Sequence, residues 1–84
     1  MASLKSNGKL TFYKVWKDRM YGNTLYPNMQ CIWFLHKDKD SDTYSWYDIT
    51  NDEQYNIPFD TIFDAEEYLR KLVDMKDINK WCKQ

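Results

Sequence analysis

The alternation of hydrophobic and polar residues over positions 9–17 is typical of a β-strand. Side chains point alternately to the two faces of a strand, so Leu10, Phe12 and Trp16 share one face. Lys14 interrupts that face, but the face still carries the larger apolar side chains of the strand. We therefore expect a strand here, with Leu10, Phe12 and Trp16 directed toward the core.

The stretch Gln30–Ile49 predicts a β-hairpin around which the rest of the chain is organised. Two runs rich in β-branched and aromatic residues flank a charged turn. The register is not determined by the sequence, because a shift of one residue exchanges the two faces. If Lys37 lies opposite Thr43, then Phe34 lies opposite Trp46, and both faces of the hairpin carry aromatic rings.

Two connecting segments carry weaker strand signals. Residues 18–28 contain the turn-forming sequences Tyr-Gly-Asn-Thr and Tyr-Pro-Asn, so we expect a long connection with a short strand at most around Thr24–Tyr26. Residues 50–59 contain Asn, Asp and Pro, so we expect a loop there with at most a short edge strand at Gln54–Ile57.

An amphipathic helix is predicted from Ile62 to about Met75. Thr61 and Asp64 form a capping pattern just before an apolar stripe with helical spacing. The stripe comprises Ile62, Ala65, Leu69, Leu72 and Val73. Beyond the helix, Asp77–Trp81 is expected to form a further turn whose Trp81 folds back on the core.

These elements predict an α+β fold, with a small antiparallel sheet of three to five strands and one helix packed on one face. With 84 residues and 43% hydrophobic content, the chain fits a single domain over residues 9–84 after a flexible N-terminus at 1–8. Neither a membrane-spanning apolar run nor a signal peptide is apparent, so we expect a cytoplasmic protein. Cys31 and Cys82 are then expected to be free thiols, with a disulfide between them as the alternative.

Charge is distributed unevenly along the chain. Residues 1–37 carry six Lys or Arg against one acid, residues 38–67 carry ten acids against one Lys, and residues 68–84 carry five bases against two acids. The three segments have net charges of +5, −9 and +3. Such asymmetry concerns partners and association rates more than fold.

No arrangement of residues predicts catalysis, a cofactor or a metal site. The turn that begins at Asp38 resembles the start of a calcium loop, but Thr43 and Ile49 occupy the positions where such a loop needs Gly and Glu. A solvated hairpin tip is therefore favoured. His36 is the only imidazole and no nucleophile is placed beside it in the sequence, so we interpret it as a surface residue at a strand end.

Two binding surfaces are predicted instead. For a protein partner, exposed aromatic residues of the hairpin would serve as anchors and an Asp-rich tip would steer association. These candidates are Trp33, Tyr44, Trp46, Asp38, Asp40 and Asp42. For a nucleic acid, the basic N-terminal strand and the C-terminal lysines would neutralise phosphates while aromatic rings stack on bases. The candidates on the strand are Lys9, Lys14, Lys17 and Arg19.

Part of the chain resembles a known family. The matching residues are Asp64-Ala65, Glu67, Lys71-Leu72, Lys76, Asn79 and Trp81, together with Tyr13-Lys14 near the N-terminus. They are similar to the end and the opening strand of the WGR domain, a module found beside poly-ADP-ribose polymerase catalytic domains. The Trp-Gly-Arg triplet is absent, and Ser45-Trp46-Tyr47 keeps only its Trp. The resemblance implies an antiparallel sheet with one packed helix, and DNA contact as the family's activity.

The sequence as a whole favours a non-catalytic protein that binds a macromolecule. Small size and a bias toward Lys, Asp, Asn and Tyr are compatible with an accessory or inhibitor protein of a virus or mobile element, acting in the host cytoplasm. A nucleic-acid-binding module is the alternative. Oligomeric state and partner identity are not predicted.

Overall fold

The computed structural model, which describes residues 11–84, contains one antiparallel five-stranded sheet and one α-helix. In chain order the elements are β1 (Thr11–Tyr21), β2 (Thr24–Lys37), β3 (Tyr44–Asp48), β4 (Glu53–Gln54), α1 (Ile62–Asp74) and β5 (Lys80–Lys83). The strands lie side by side in the order β4-β3-β2-β1-β5. The predicted α+β class is confirmed. The predicted flexible segment 1–8, together with Lys9 and Leu10, lies outside the described residues.

The core lies between α1 and the face of the sheet that carries Tyr13 and Val15. These two residues pair with Trp33 and Cys31 of β2, and all four side chains are buried. The apolar stripe of α1 packs against them through Ala65, Leu69 and Leu72. The predicted orientation of β1 is therefore wrong: Phe12 and Trp16 lie on the opposite face, because the aromatic and aliphatic residues that pack against α1 are Tyr13 and Val15.

The connection predicted over residues 18–28 is instead part of a long β-ribbon formed by β1 and β2. The strands run to Tyr21 and from Thr24, and the turn between them contains Gly22 at φ 63°. A positive φ suits glycine, which has no Cβ to clash. The register shifts between Lys17 and Arg19, so Pro27 lies at a β-bulge. There the main chain does not need an N–H group to donate to the neighbouring strand, which proline could not supply.

The β2–β3 hairpin has a register one residue away from the one considered above. Lys37 lies opposite Tyr44, and Phe34 lies opposite Tyr47. The tip sets this register, because the main-chain N–H of Asp38 donates to Thr43 O at 2.7 Å and Asp42 adopts φ 58°. An Asp tolerates the left-handed region better than most residues do.

The helix agrees closely with its prediction, whereas the C-terminal strand was not anticipated. Thr61 is the N-cap, and its hydroxyl accepts the N–H of Asp64 at 3.1 Å. After the helix the chain pairs with β1 as β5, where a further turn was expected. Trp81 does pack against the core, with its ring 5.8 Å from that of Tyr13.

Both cysteines are free thiols, as the sequence predicts. Cys31 lies opposite Val15 and is buried on the helix-covered face. Cys82 lies opposite Lys14, so it is on the other face of the sheet. A disulfide between them would have to pass through the sheet. Within residues 11–84, no helix has the length and apolar character to cross a membrane.

Candidate functional site

Two of the three aromatic residues predicted to anchor a partner are core residues. Trp33 is 1% exposed and Trp46 is 0% exposed. The indole Nε1 of Trp46 donates to the main-chain oxygen of Ala65 at 3.1 Å, which joins β3 to α1. The prediction that these rings are exposed is therefore wrong. A one-residue difference in register placed Trp46 on the helix-covered face.

Tyr44 is half-buried and organises one end of the molecule. Its main-chain N–H donates to Phe59 O at 2.7 Å, and the N–H of Phe59 donates back to Tyr44 O at 2.8 Å. This bridge holds the segment before α1 against the start of β3. The ammonium of Lys37 lies 5.8 Å above the Tyr44 ring. Tyr44 thus links the Asp-rich tip to the N-terminus of the helix.

The carboxylates of the tip are at the surface. The Asp38 side chain accepts the N–H of Asp40 at 2.8 Å and so rigidifies the turn. Asp42 forms an ion pair with Lys37 at 2.8 Å, and this hydrogen bond raises the pKa of the Lys37 ammonium. The three Asp residues predicted at this site therefore do lie together, and one of them is partly neutralised.

Two shallow cavities meet beside the tip. One, of about 420 Å³, lies between the tip with the start of β3, which contribute Asp38 and Thr43, and the segment before α1, which contributes Asn56 and Pro58. The other, of about 310 Å³, runs from Pro58 along the first turns of α1. The carboxylates on these two surfaces and on the tip are Asp38, Asp40, Asp42, Asp60, Asp64 and Glu67. We refer to these six residues as the acidic end.

The predicted nucleic-acid residues are divided between the faces of β1. Lys14 lies on the face away from α1, and Lys17 lies on the helix-covered side. Arg19 follows the bulge, and its guanidinium is 5.7 Å from the Tyr21 ring centre. Lys9 lies outside the described residues. The structure therefore does not bring these cations together on one flat surface.

The C-terminal lysines predicted to assist them lie along the same edge of the sheet. The Lys80 ammonium is 4.7 Å from the ring centre of Trp16. That of Lys83 is 3.6 Å from a carboxylate oxygen of Glu66. Glu66 also accepts the hydroxyl of Tyr13 at 2.7 Å; burial, reinforced by this bond, raises the pKa of Tyr13.

The outer half of the β1–β2 ribbon is an exposed apolar surface that the sequence reading missed. It carries the large side chains Met20, Tyr21, Leu25 and Tyr26, which are all exposed. The rings of Tyr21 and Tyr26 are in edge-to-face contact at 5.4 Å. In the sequence these apolar residues come in two adjacent pairs, Met20-Tyr21 and Leu25-Tyr26, without the alternation that would have indicated a strand, and turn-forming residues lie between and after them.

The base of this ribbon is fastened to the segment before β5. Asp18 accepts the N–H of Asn28 at 2.8 Å and the side-chain amide of Asn79 at 3.0 Å. The bond from Asn79, followed by that from Asn28, lowers the pKa of Asp18. Asp18 is therefore held in its ionised form, as the one acid on β1.

His36 is buried, contrary to its interpretation as a surface residue. It is 3% exposed, and neither ring nitrogen meets a hydrogen-bond partner among residues 11–84. Burial lowers its pKa, and the charge of Asp38 partly opposes this effect. The part of the chain that the structure describes holds no group of three or more His, Cys, Asp or Glu residues able to bind a metal.

Comparisons with known proteins found no matching family model, no similar curated protein and no similar solved structure.

Proposed function

We propose that this chain is a small non-catalytic binding protein whose acidic end engages a basic surface on a protein partner. The observation that carries the proposal is the Tyr44–Phe59 bridge, which brings the Asp-rich tip against the N-terminus of α1. Carboxylates distant in sequence thereby line two adjoining cavities that share Pro58, together with Lys71 on the α1 side. Complementary charge of this kind accelerates association and determines orientation.

Exposed side chains around the acidic end supply the apolar contact that the buried tryptophans do not. Tyr44 is half-buried, and Phe63 in the first turn of α1 is 68% exposed. Aromatic anchors surrounded by charge are typical of interface centres. Small size and composition further support an accessory or inhibitor role of the viral or mobile-element type, in the cytoplasm.

The test is affinity capture from the native cell, or from the host's cell if the protein is viral, with the full chain as bait. Asp40→Asn with Asp42→Asn should reduce recovery of the specific partner at least fivefold, mainly through slower association. Glu53→Gln with Asp74→Asn removes the same charge elsewhere and should leave recovery unchanged. Equal recovery with both pairs would refute the role of the acidic end.

A nucleic-acid-binding function through the ribbon is the second candidate. A two-stranded β-ribbon fits the major groove of DNA, and this ribbon carries Arg19 beside the exposed rings of Tyr21 and Tyr26. Fluorescence titration with duplex DNA and with single-stranded RNA at low salt would test it. Binding that weakens steeply with added salt supports this function, and no binding at low salt removes it.

A further inference from the structure

The face of the sheet away from α1 presents aromatic and basic side chains to solvent over β1 and β5. Phe12, Lys14 and Trp16 lie on this face, because they alternate along β1 with the buried residues of the helix-covered face. Lys80 of β5 lies opposite Trp16 and so shares the face. Phe12 is 42% exposed, Lys80 is exposed, and Lys14 and Trp16 are partly exposed. We refer to these four residues as the aromatic–lysine surface.

The ring of Phe12 is supported by buried aromatic residues on the neighbouring strands. Phe34 of β2 lies opposite Phe12, with 5.8 Å between the two ring centres. Tyr47 of β3 packs against Phe34 in turn, at 5.1 Å. Phe34 and Tyr47 are both buried, whereas the Phe12 ring is still partly open to solvent. A ring that is fixed in this way can receive another ring at little cost in conformational entropy.

Trp16 holds an ammonium group against its ring. The Nζ of Lys80 is 4.7 Å from the ring centre, which is typical of a cation–π contact. Phe12 and Trp16 are about 13 Å apart along β1, and Lys14 lies between them on the same face. The surface therefore alternates ring, ammonium and ring along the strand, with a second ammonium beside the last ring.

No carboxylate neutralises the two ammonium groups of this surface. Lys14 and Lys80 form no ion pair within residues 11–84, whereas Lys83 on the helix-covered face of β5 is 3.6 Å from Glu66. The only acid of β1 is Asp18, which follows the surface along the strand. Two unneutralised cations beside two accessible rings are complementary to a ligand that carries both negative charge and flat apolar groups.

The acidic end lies too far from these cations to repel such a ligand. Lys14 and Trp16 lie opposite Ile32 and Gln30 of β2, which are about 17 Å and about 23 Å from the end of that strand at Lys37, where the tip begins. Exposed charges are largely screened beyond about 8 Å at physiological ionic strength. The carboxylates that the acidic end has on α1 lie on the other side of the sheet.

We infer that the aromatic–lysine surface binds a single-stranded nucleic acid, either DNA or RNA, without base specificity. Unpaired bases stack on the rings of Phe12 and Trp16, while the ammonium groups of Lys14 and Lys80 neutralise the phosphates. An exposed cation–π contact is weaker than the stacking of a base on an indole, so the ammonium of Lys80 leaves the ring for a phosphate. This site does not rest on the acidic end, and it binds whether or not that end engages a protein.

Neither duplex DNA nor an acidic peptide matches this surface as well. In a duplex the faces of the bases are already stacked on one another, so the protein rings have no partner. The three neighbouring strands β2, β1 and β5 also form a broader face than the two-stranded ribbon that a major groove admits. An acidic peptide would pair with the lysines but would leave both aromatic rings without a stacking partner.

Fluorescence anisotropy with labelled oligo(dT) and oligo(U) of about twelve nucleotides tests the inference on the full chain. At least one of the two should bind saturably at low salt, and the tighter one identifies DNA or RNA as the preferred ligand. The plot of log K against log salt concentration should have a slope of about −1.4, as expected for two phosphate contacts with a single strand. A duplex of the same length should bind at least tenfold more weakly. Absence of saturable binding to both oligonucleotides, or equally tight binding of the duplex, would overturn the inference.

An oligoglutamate peptide with the same number of charges separates base stacking from charge alone. It should displace labelled oligo(dT) at least tenfold less effectively than unlabelled oligo(dT) does, because it has no rings to stack on the protein. Equal displacement by the two competitors would show that the surface recognises acidic chains, and the assignment to a nucleic acid would then be wrong.

Two variants locate the site on the face away from α1. Trp16→Leu should weaken oligo(dT) binding about tenfold through the lost stacking. Lys80→Gln should weaken it about fivefold at about 100 mM salt and make the salt slope shallower by about 0.7. Phe63→Leu and Lys71→Gln make similar changes on α1 and should leave binding unchanged. Thermal melts verify that all four variants are folded, and equal weakening by the α1 variants would contradict the site.

A ribbon variant distinguishes this surface from the outer half of the β1–β2 ribbon. Arg19→Gln combined with Tyr21→Leu removes a cation and a ring from the ribbon and should leave oligo(dT) binding unchanged. If this double variant weakens binding while Trp16→Leu and Lys80→Gln do not, the ribbon holds the nucleic acid and the inference is wrong.

Discussion

The indole Nε1 of Trp46 donates a hydrogen bond to the main-chain oxygen of Ala65, with 3.1 Å between the two atoms. Both residues are completely buried, and they come from β3 and α1. The bond therefore fixes the position of the helix along the sheet, which apolar packing alone leaves free to slide. It also positions the first turn of α1 beside the hairpin tip, where the acidic end is formed.

Replacing Trp46 by Phe should lower the free energy of unfolding by about 1–3 kcal/mol. Phe keeps an aromatic ring in contact with Tyr13 and Trp33 but loses the donor and leaves a small void. Urea unfolding followed by circular dichroism measures the change. Trp16→Phe, on the face away from α1, is the control and should cost less because Trp16 is only partly buried. An unchanged midpoint in Trp46→Phe would show that the indole bond contributes nothing.

Thr61→Ala should destabilise the protein by about 1 kcal/mol, because the Thr61 hydroxyl accepts the N–H of Asp64 at the start of α1. Thr61→Ser keeps the acceptor and should remain within a few tenths of a kcal/mol of the wild type. Thermal and urea unfolding of both variants provide the measurement. A loss of the same size in the Ser variant would indicate that the methyl group, and not the cap, matters.

Local signals in the sequence were enough to predict α1. The buried face of each strand and its pairing register, however, depended on contacts between residues distant in the sequence. The cap at Thr61 and the stripe that contains Leu69 depend on residues within a few turns of each other. In β2, however, residues 31–35 are apolar at every position, so either face could meet the helix. The tip geometry around Asp42 decided the register, and with it the burial of Trp46.

The same limit applies to β5, which was not predicted, and to β2, which was predicted to be shorter than it is. Residues 80–83 have no alternation of their own, and they become β5 because the edge of β1 offers unpaired main-chain groups. Pro27 argued against a strand, but the bulge at the base of the ribbon accommodates it.

The stability of the protein should fall as the pH decreases below about 6.5, because of His36. Burial lowers the pKa of His36 below its usual 6.5, so the unfolded chain binds the proton more readily than the folded chain does. The free energy of unfolding therefore decreases from about pH 6.5 downward and levels off below the folded-state pKa. Above about pH 7.5 both states hold a neutral imidazole and the effect vanishes.

His36→Phe is the variant that isolates this effect. Urea unfolding at about pH 7.5 and about pH 5.5 should show a clear loss of stability in the wild type and a smaller one in the variant, since most carboxylates stay ionised over this range. The charge of Asp38 raises the pKa of His36 and so opposes the effect of burial, and Asp38→Asn should therefore steepen the loss of stability. An identical pH dependence in wild type and His36→Phe would contradict the assignment.

Asp18→Ala should loosen the β1–β2 ribbon while leaving the core of the sheet intact. The carboxylate of Asp18 accepts from Asn28 across the bulge and from Asn79 ahead of β5, so its removal frees the base of the ribbon on both sides. Amide hydrogen exchange should accelerate severalfold in residues 19–26 and stay unchanged in β3. Asp18→Asn keeps an acceptor oxygen and should show a smaller effect.

The hydrogen bonds of Asp18 should also make the stability of the β1–β2 ribbon depend on pH in the acidic range. Hydrogen bonds to Asn79 and Asn28 lower the pKa of Asp18, so they favour its ionised form and stabilise the folded state above the carboxyl's ordinary pKa of 3.8. That contribution is lost as the pH falls from this value through the folded-state pKa. The protection of residues 19–26 against amide exchange, expressed relative to the intrinsic rate at each pH, should therefore fall selectively in acid in the wild type but not in Asp18→Ala. An equal fall in both would show that Asp18 does not hold the ribbon in place.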